Sequence, residues 1–450
     1  MKSILPALLW TFAPCAALAQ NVRVADPIII QAAPIAPLAQ QPQGITPSFL
    51  EPELRVALTE ETKISPVDLG GHGATAKALS EPRLEAPESL DALYDRAKEP
   101  KTAGDAVNAV GFFPSLGSRD AYRGAGRALW ETASHVPEVR KIYLEGAEAL
   151  GMTTNGLPDP TKLLFLDNNI PKDHKDKEGF MAAAFVIHNL AIEALLRIKA
   201  EAKGVCLKMV AYAGESAGIW NAAIASGALS VGDGAKIARF FPPAVLREAE
   251  KATPGRTYYV ISLQGQGLEE AIKAAAEKFQ DKFEIHKFYS NSPRQVNVYV
   301  ADDVYERFKA FLRADYPDIS AVNLKGATTT FITHSAKVRG ARLALSDFIE
   351  AEGIKISAPR VPILSNSNTG ILTSREDVLN ALLATVDEPM HSMETTRLAE
   401  KSGADVIIGL GRGRKIRDLI EANRLKTPYM DFAGEEFIGF SSRKEGGMGL

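Results

Sequence analysis

Apolar runs alternating with helical text predict an α/β protein: a mostly parallel sheet with a small βαββαβ unit inserted into it. Three observations carry this. The runs at 107–113 (VNAVGFF) and 206–213 (CLKMVAYA) are short, apolar and followed by turn clusters, as buried parallel strands are. Text with helical spacing follows each of them. Between 255 and 326 the order becomes strand, helix, strand, strand, helix, strand, the ferredoxin-like pattern.

The elements follow in order. After the strand at 107–113, helical spacing covers 121–133 and 137–150, and an apolar helix covers 180–200. The strand at 206–213 runs directly into Gly214-Glu215-Ser216-Ala217-Gly218 and a helix at 219–225. In the inserted unit, strands are expected at 257–263, 284–289, 295–300 and 321–325, with helices at 268–279 and 304–314. The α/β text then resumes. Helices are expected at 338–351, 375–386, 392–402 and 415–422, and strands at 361–365 and 405–410.

Composition sets the outer limits. The chain has 450 residues, 46% hydrophobic and 24% charged, which suits two or three soluble units with a sizeable core. A net charge of −3 gives no electrostatic reason to expect nucleic acid or an anionic membrane as partner. Two cysteines, Cys15 and Cys206, exclude a cysteine-based zinc site or disulfide framework. The seven histidines never fall in an H-x-H or H-x-x-x-H spacing, so no metal site is expected.

The N-terminus has a different character. Residues 1–19 carry Lys2, an apolar run from Ile4 to Phe12, and Ala17-Leu18-Ala19, the three parts of a secretory signal peptide. The run is too short to span a bilayer as a helix. Residues 20–105 read as a Pro/Ala-rich linker, expected to be disordered apart from a short helix around 88–98. Twelve of the 26 prolines fall before residue 106, and such text offers too little apolar surface to offset its ordering entropy. The folded domain is expected over 106–425, with the insertion at 255–326 and a peripheral tail over 426–450.

The chemistry-bearing motif is Gly214-x-Ser216-x-Gly218 at a strand-to-helix turn. This is the context of a nucleophile elbow and makes the core α/β-hydrolase-like. The sharp turn lifts the serine oxygen clear of the sheet edge. The next N–H, that of Ala217, lies at a helix N-terminus, where it can hold an oxyanion. A serine nucleophile needs a base, and His334, in FITHS at a helix start, is the candidate. His188 lies inside an apolar helix (FVIHNLAIEALL) and reads as a packing residue. Gly409-x-Gly411-x-Gly413 imitates a dinucleotide fingerprint, but the third glycine would fall at Arg414, so a backbone turn near the site is expected instead.

Five landmarks stand in order: Phe113-Pro114-Ser115-Leu116-Gly117-Ser118, the GESAG elbow with GALS at 227–230, Asn291–Val296 (NSPRQV), His334, and Gly411-Arg412-Gly413. Together they resemble the malonyl-CoA:acyl-carrier-protein transacylase family, which includes the acyltransferase domains of polyketide synthases. The family motifs are F-P-G-Q-G-S, G-H-S-L-G, N-S-P-x-Q-V, a histidine before a helix, and G-P-G. The resemblance covers about 106–422.

The resemblance implies an acyltransferase of fatty-acid or polyketide biosynthesis. Ser216 would take an acyl group from a coenzyme A thioester, with His334 as general base and the N–H groups of Leu116 and Ala217 as oxyanion donors. The phosphopantetheine thiol of an acyl carrier protein would then accept the acyl group. No bound cofactor is implied. A backbone carbonyl orients the family histidine, and a gap-free count back from the glycine turn places it at Ser402. Glu215, Phe241 and Asn291 fall at acyl-pocket positions. The carrier protein and coenzyme A imply cytoplasmic chemistry, whereas the N-terminus suggests export or organelle targeting.

The sequence departs from the family in four places. Leu116 replaces a glutamine, Glu215 replaces a histidine, the T-Q-P string before the helix at 182–196 is absent, and Phe241 stands where the malonyl-binding arginine is expected. Arg239 lies two residues earlier, roughly 200° round a helix. Two other functions stay open on these grounds: an acyl hydrolase or thioesterase on the same fold, and a catalytically degenerate scaffold.

Overall fold

The computed structural model describes residues 106–116, 125–164, 177–285, 292–323, 332–367, 370–411 and 415–433. The signal-peptide and linker readings, Asn291, and most of the expected tail lie outside these residues.

The main body contains β1 (Val107–Phe113), α1 (Ala125–Ala133), α2 (Pro137–Ala149), a small hairpin of β2 (Thr153–Thr154) and β3 (Leu157–Pro158), α3 (Pro160–Leu164) and α4 (Lys177–Ala202). β4 (Leu207–Gly214), α5 (Gly218–Ala225) and α6 (Val231–Ala249) follow. The inserted lobe is β5 (Gly255–Ser262), α7 (Leu268–Phe279), β6 (Phe283–Ile285), β7 (Gln295–Ala301), α8 (Tyr305–Asp315) and β8 (Ile319–Asn323). The body resumes with α9 (Arg339–Ala351), β9 (Ile363–Leu364), β10 (Ile371–Leu372), α10 (Arg375–Asp387), α11 (Ser392–Lys401), β11 (Val406–Leu410), α12 (Lys415–Ala422) and β12 (Tyr429–Phe432).

The main sheet has the strand order β10-β9-β4-β1-β11-β12. β9, β4, β1, β11 and β12 run parallel, and β10 pairs antiparallel at the edge. β1 and β4 are therefore central, which explains their continuous apolar text: both faces are covered. On one face, α4 carries sixteen buried residues and packs with α2 and α6 in the largest core cluster. It is long and apolar enough to cross a membrane, but most of it is buried inside the protein. On the other face, Val110, Phe112, Ala211, Ala213 and Ile407 pack beneath Ile416, Leu419 and Ile420 of α12.

The lobe forms a separate four-stranded antiparallel sheet, β6-β7-β5-β8, with its own core. The βαββαβ expectation therefore describes its topology.

Besides the short elements β2, β3, α3 and β10, two longer stretches lie outside the sequence expectation. The text after 422 was expected to be peripheral, yet Tyr429–Phe432 pairs parallel with β11 as an edge strand. The sheet thus continues past the expected boundary at 425. The long helix α6 carries Pro242 and Pro243 in its interior. Two prolines remove two intrahelical donors, yet the helix runs through them.

Candidate active site

The site is assembled at the carboxyl ends of the central strands. β4 ends at Gly214 and α5 begins at Gly218, so only three residues turn the chain. Ser216 takes φ 52°, a left-handed conformation that is costly for a residue with a Cβ. Gly214 and Gly218 make the turn possible. A Cβ on Gly214 would collide with the backbone of Gly218 and Ile219, and one on Gly218 with the carbonyl oxygens of Phe113 and Pro114. Glu215 N–H donates to Phe113 O at 2.9 Å, and Gly218 N–H to Glu215 O at 2.8 Å. The elbow is therefore seated on the end of β1, three residues before Leu116. Ala217 is buried and caps the N-terminus of α5, where the first N–H groups have no partner within the helix.

Ser216 Oγ lies 2.8 Å from His334 Nε2 across 118 residues of sequence. Both side chains are buried, Ser216 at 8% and His334 at 2% exposure. His334 Nδ1 bonds the carbonyl oxygen of Thr385. A carbonyl only accepts, so Nδ1 carries the hydrogen, and Nε2 is left to accept from the serine hydroxyl. His334 itself has φ 53°, and its N–H donates to Val386 O at 3.0 Å. Two successive carbonyls at the C-terminus of α10 thus hold one residue by ring and backbone together. The last carbonyls of a helix have no intrahelical partner and carry partial negative charge, so this end also stabilises an imidazolium.

This corrects the expected orienting carbonyl. Ser402 is the C-cap of α11, and its hydroxyl bonds Ala399 O at 2.6 Å. The gap-free count placed the carbonyl one helix too late in the chain. Thr385 supplies it because α10, not α11, ends against the histidine.

The α10 terminus is itself anchored. Asp387, 5% exposed, accepts from Arg342 of α9 at 2.9 Å, and Arg339 lies 3.5 Å from its other oxygen. Arg342 also donates to Glu388 at 2.8 Å. On the lobe side, Ser335 Oγ donates to Glu284 of β6 at 2.5 Å. Burial raises the Glu284 carboxyl above the usual carboxylate range, against the lowering effects of the Ser335 hydrogen bond and Lys337.

The acyl-pocket candidates separate. Phe241 is buried and packs edge-on against Trp220, with ring centroids 4.8 Å apart. Trp220 lies on α5, four residues after Ser216. Arg239 stacks its guanidinium 4.0 Å from the ring centroid of Phe180 on α4, so it is engaged with another helix. Glu215 is buried, and Lys415 of α12 approaches it at 3.6 Å. Lys415 was not foreseen. His188 is buried against the Tyr143 hydroxyl at 3.0 Å and takes no part in the site. Among the described residues no group of three or more His, Cys, Asp or Glu side chains is placed to hold a metal ion.

No family model matches the chain. Two curated relatives, both malonyl CoA-acyl carrier protein transacylases, match most of it. The Haemophilus influenzae protein is 23% identical over 307 residues, covering 68% of this chain and 89% of the relative. The Salmonella typhimurium protein is 23% identical over 325 residues, covering 70% and 95%. Among solved structures, the malonyl-transacylase bound to a type II polyketide-synthase acyl-carrier protein superposes with a TM-score of 0.57 at 21% identity. That match covers 75% of this chain and 99% of that one. The Streptococcus pneumoniae transacylase gives 0.59 at 18% identity, covering 75% and 99%. At such identities the structures establish the fold, an α/β-hydrolase-like core with a ferredoxin-like lobe. In sequence and in fold alike, the chain resembles the malonyl-CoA:acyl-carrier-protein transacylases.

Proposed function

We propose that this chain is an acyltransferase that moves an acyl group from a coenzyme A thioester to the phosphopantetheine thiol of an acyl carrier protein. The observation that carries the proposal is the 2.8 Å contact between Ser216 Oγ and His334 Nε2, with the other ring nitrogen held by Thr385 O. The relatives' names supply the thioester and the carrier protein.

His334 Nε2 takes the hydroxyl proton as Ser216 Oγ attacks the thioester carbonyl. The N–H groups of Ala217 and Leu116 receive the developing oxyanion. The imidazolium then gives its proton to the departing coenzyme A thiolate, leaving an acyl-serine. In the second half, His334 takes the proton of the incoming pantetheine thiol, the thiolate attacks the acyl-serine, and the proton returns to Ser216. The depth of Ser216 favours transfer to a long thin arm over hydrolysis by bulk water.

The acyl group follows from the pocket. A malonyl carboxylate buried without a cation costs several kcal/mol, on the order of the penalty for any unpaired buried charge. Phe241 offers no charge, and Arg239 is stacked on Phe180. Lys415 is already drawn to Glu215, so the two together add no net charge. Uncharged acyl groups are therefore accepted at least as well as malonyl.

Intact-mass analysis after mixing with acyl-CoA, with and without carrier protein, tests the reading. An adduct on Ser216 that persists until carrier protein is added supports it. Release as free acid indicates a hydrolase, and absence of any adduct indicates a scaffold. Either result overturns it.

A further inference from the structure

We propose that Glu284 is a positioning residue for His334, acting through Ser335 so that the placement of the base depends on how the inserted lobe is seated. The inference rests on His334 serving Ser216 as its base, and goes beyond that reading in giving the lobe a part in the chemistry.

Side chains alternate across a strand. On β6, the edge strand of the lobe sheet, Phe283 faces the lobe core and packs against Phe308 of α8, with ring centroids 5.1 Å apart. Glu284 therefore faces the other way, out of the lobe. It pairs across the sheet with Tyr299 of β7, which is buried in the core of the main body, so this face of the lobe rests on the body. There Glu284 meets Ser335, whose hydroxyl donates to it at 2.5 Å and accepts from the Lys337 N–H at 3.1 Å. Lys337 in turn bonds the Asp281 carbonyl. Two residues of the segment that follows the base are thus held by one short stretch of the lobe.

His334 needs such support. Its φ of 53° is a left-handed conformation, which for a residue with a Cβ persists only where the surroundings hold it. From the body side, α10 holds the ring through Thr385 O and the backbone N–H through Val386 O. The chain leaving His334 passes straight into Ser335, and Glu284 fixes it from the lobe side. Loss of that bond frees the peptide after His334 to turn and shifts the ring against Ser216 Oγ. A misplacement of about 1 Å is enough to cost about 100-fold in rate.

The test reads Ser216 reactivity directly, with a serine-directed fluorophosphonate whose labelling needs no acyl group or carrier protein. Maximal labelling rate and half-saturating probe concentration are measured separately for wild type, Ser335→Ala, Glu284→Ala, Glu284→Gln and the Ser335→Ala/Glu284→Ala double variant. Glu284→Ala removes the lobe acceptor and leaves Ser335 its bond from the Lys337 N–H. Each alanine variant should lower the maximal rate at least about 10-fold, with half-saturation changed by less than about 3-fold. Glu284→Gln retains an acceptor and should recover to within about 3-fold of wild type. The double variant should be no more than about 3-fold slower than the slower single, because both changes break one contact.

Labelling of Glu284→Ala at the wild-type rate overturns the proposal. So does a Glu284→Gln variant as slow as Glu284→Ala, a loss confined to half-saturation, or a double variant in which the two losses multiply. Should Glu284→Ala not fold, Ser335→Ala beside Ser335→Thr, which keeps the hydroxyl, carries the same test: the threonine variant must recover and the alanine variant must not. A wild type that does not label at Ser216, or a His334→Ala variant that labels as fast as wild type, removes the nucleophile or the base assignment itself, and the proposal falls with it.

Discussion

Ser335, the residue after the candidate base, donates its hydroxyl to Glu284 of the inserted lobe at 2.5 Å. The lobe is thereby tied to the backbone that carries His334. Lys337 reinforces the tie by bonding the Asp281 carbonyl.

Glu284 gives a pH-dependent prediction. Its carboxyl is raised above the usual range, chiefly by burial. A carboxyl raised in the folded state contributes stability that is fully present below its unfolded pKa and lost as pH rises through the folded one. Glu284→Gln keeps an acceptor for Ser335 and removes the charge. Thermal melts should therefore coincide for the two proteins at acid pH, and the variant should melt higher at pH 8. A wild type that gains on the variant as pH rises contradicts this.

Removal of the nucleophile or its base should separate cleanly. Ser216→Ala should abolish covalent acylation, and His334→Ala should slow it by at least about 100-fold, the usual scale of general acid–base assistance. Stopped-time mass spectrometry of the acyl-enzyme measures both. Acylation of any residue other than Ser216 rejects the assignment.

The clamp on His334 can be loosened from behind. Asp387→Asn removes a buried charge that holds Arg342 and Arg339 at the end of α10. Glu388 still holds Arg342, so the loss of stability should stop at about 1–3 kcal/mol. Because the change reaches the reaction through the Thr385 and Val386 carbonyls that hold His334, kcat should fall more than KM rises. Denaturant melts and steady-state kinetics test the two halves.

For acyl preference, kcat/KM should be at least as high with acetyl-CoA as with malonyl-CoA. A malonyl preference of about 100-fold, near 2.7 kcal/mol, would mean that a cation does reach the carboxylate.

Residues 20–105 should be dispensable for catalysis. Their proline-rich text stops just before β1, a central strand of the sheet. A chain beginning at Ala103 should fold and keep its activity. An insoluble or inactive product, beside an active full-length chain, places the boundary wrongly.

Much of this architecture was legible because its physics is local. The elbow needs glycines at two fixed offsets, and the lobe follows from the order of its periodic segments. Thr385 was not legible, since any residue can offer a backbone carbonyl. Lys415 was hidden for another reason: its partner Glu215 lies far away in sequence, and nothing near either residue announces the pairing. The helix that contains Pro242 and Pro243 was not among the expected elements. Pro243 has no N–H for the Arg239 carbonyl four residues earlier, and Gly179 of α4 packs so closely on that carbonyl that a Cβ there would collide with it.

The position of β1 has a consequence for how the protein must be made. β1 is among the first described residues of the chain, yet one of its two neighbours is β11: Asn108 N–H donates to Asp405 Oδ2 across 297 positions at 2.9 Å. Until the ribosome has delivered that partner, one edge of an apolar strand has nothing to pair with. Nascent chains should therefore wait, with β1 sequestered or held by a chaperone, and fold late and slowly, as expected for a topology dominated by distant pairings. Premature termination before residue 406 should yield aggregates rather than a smaller, partly active protein.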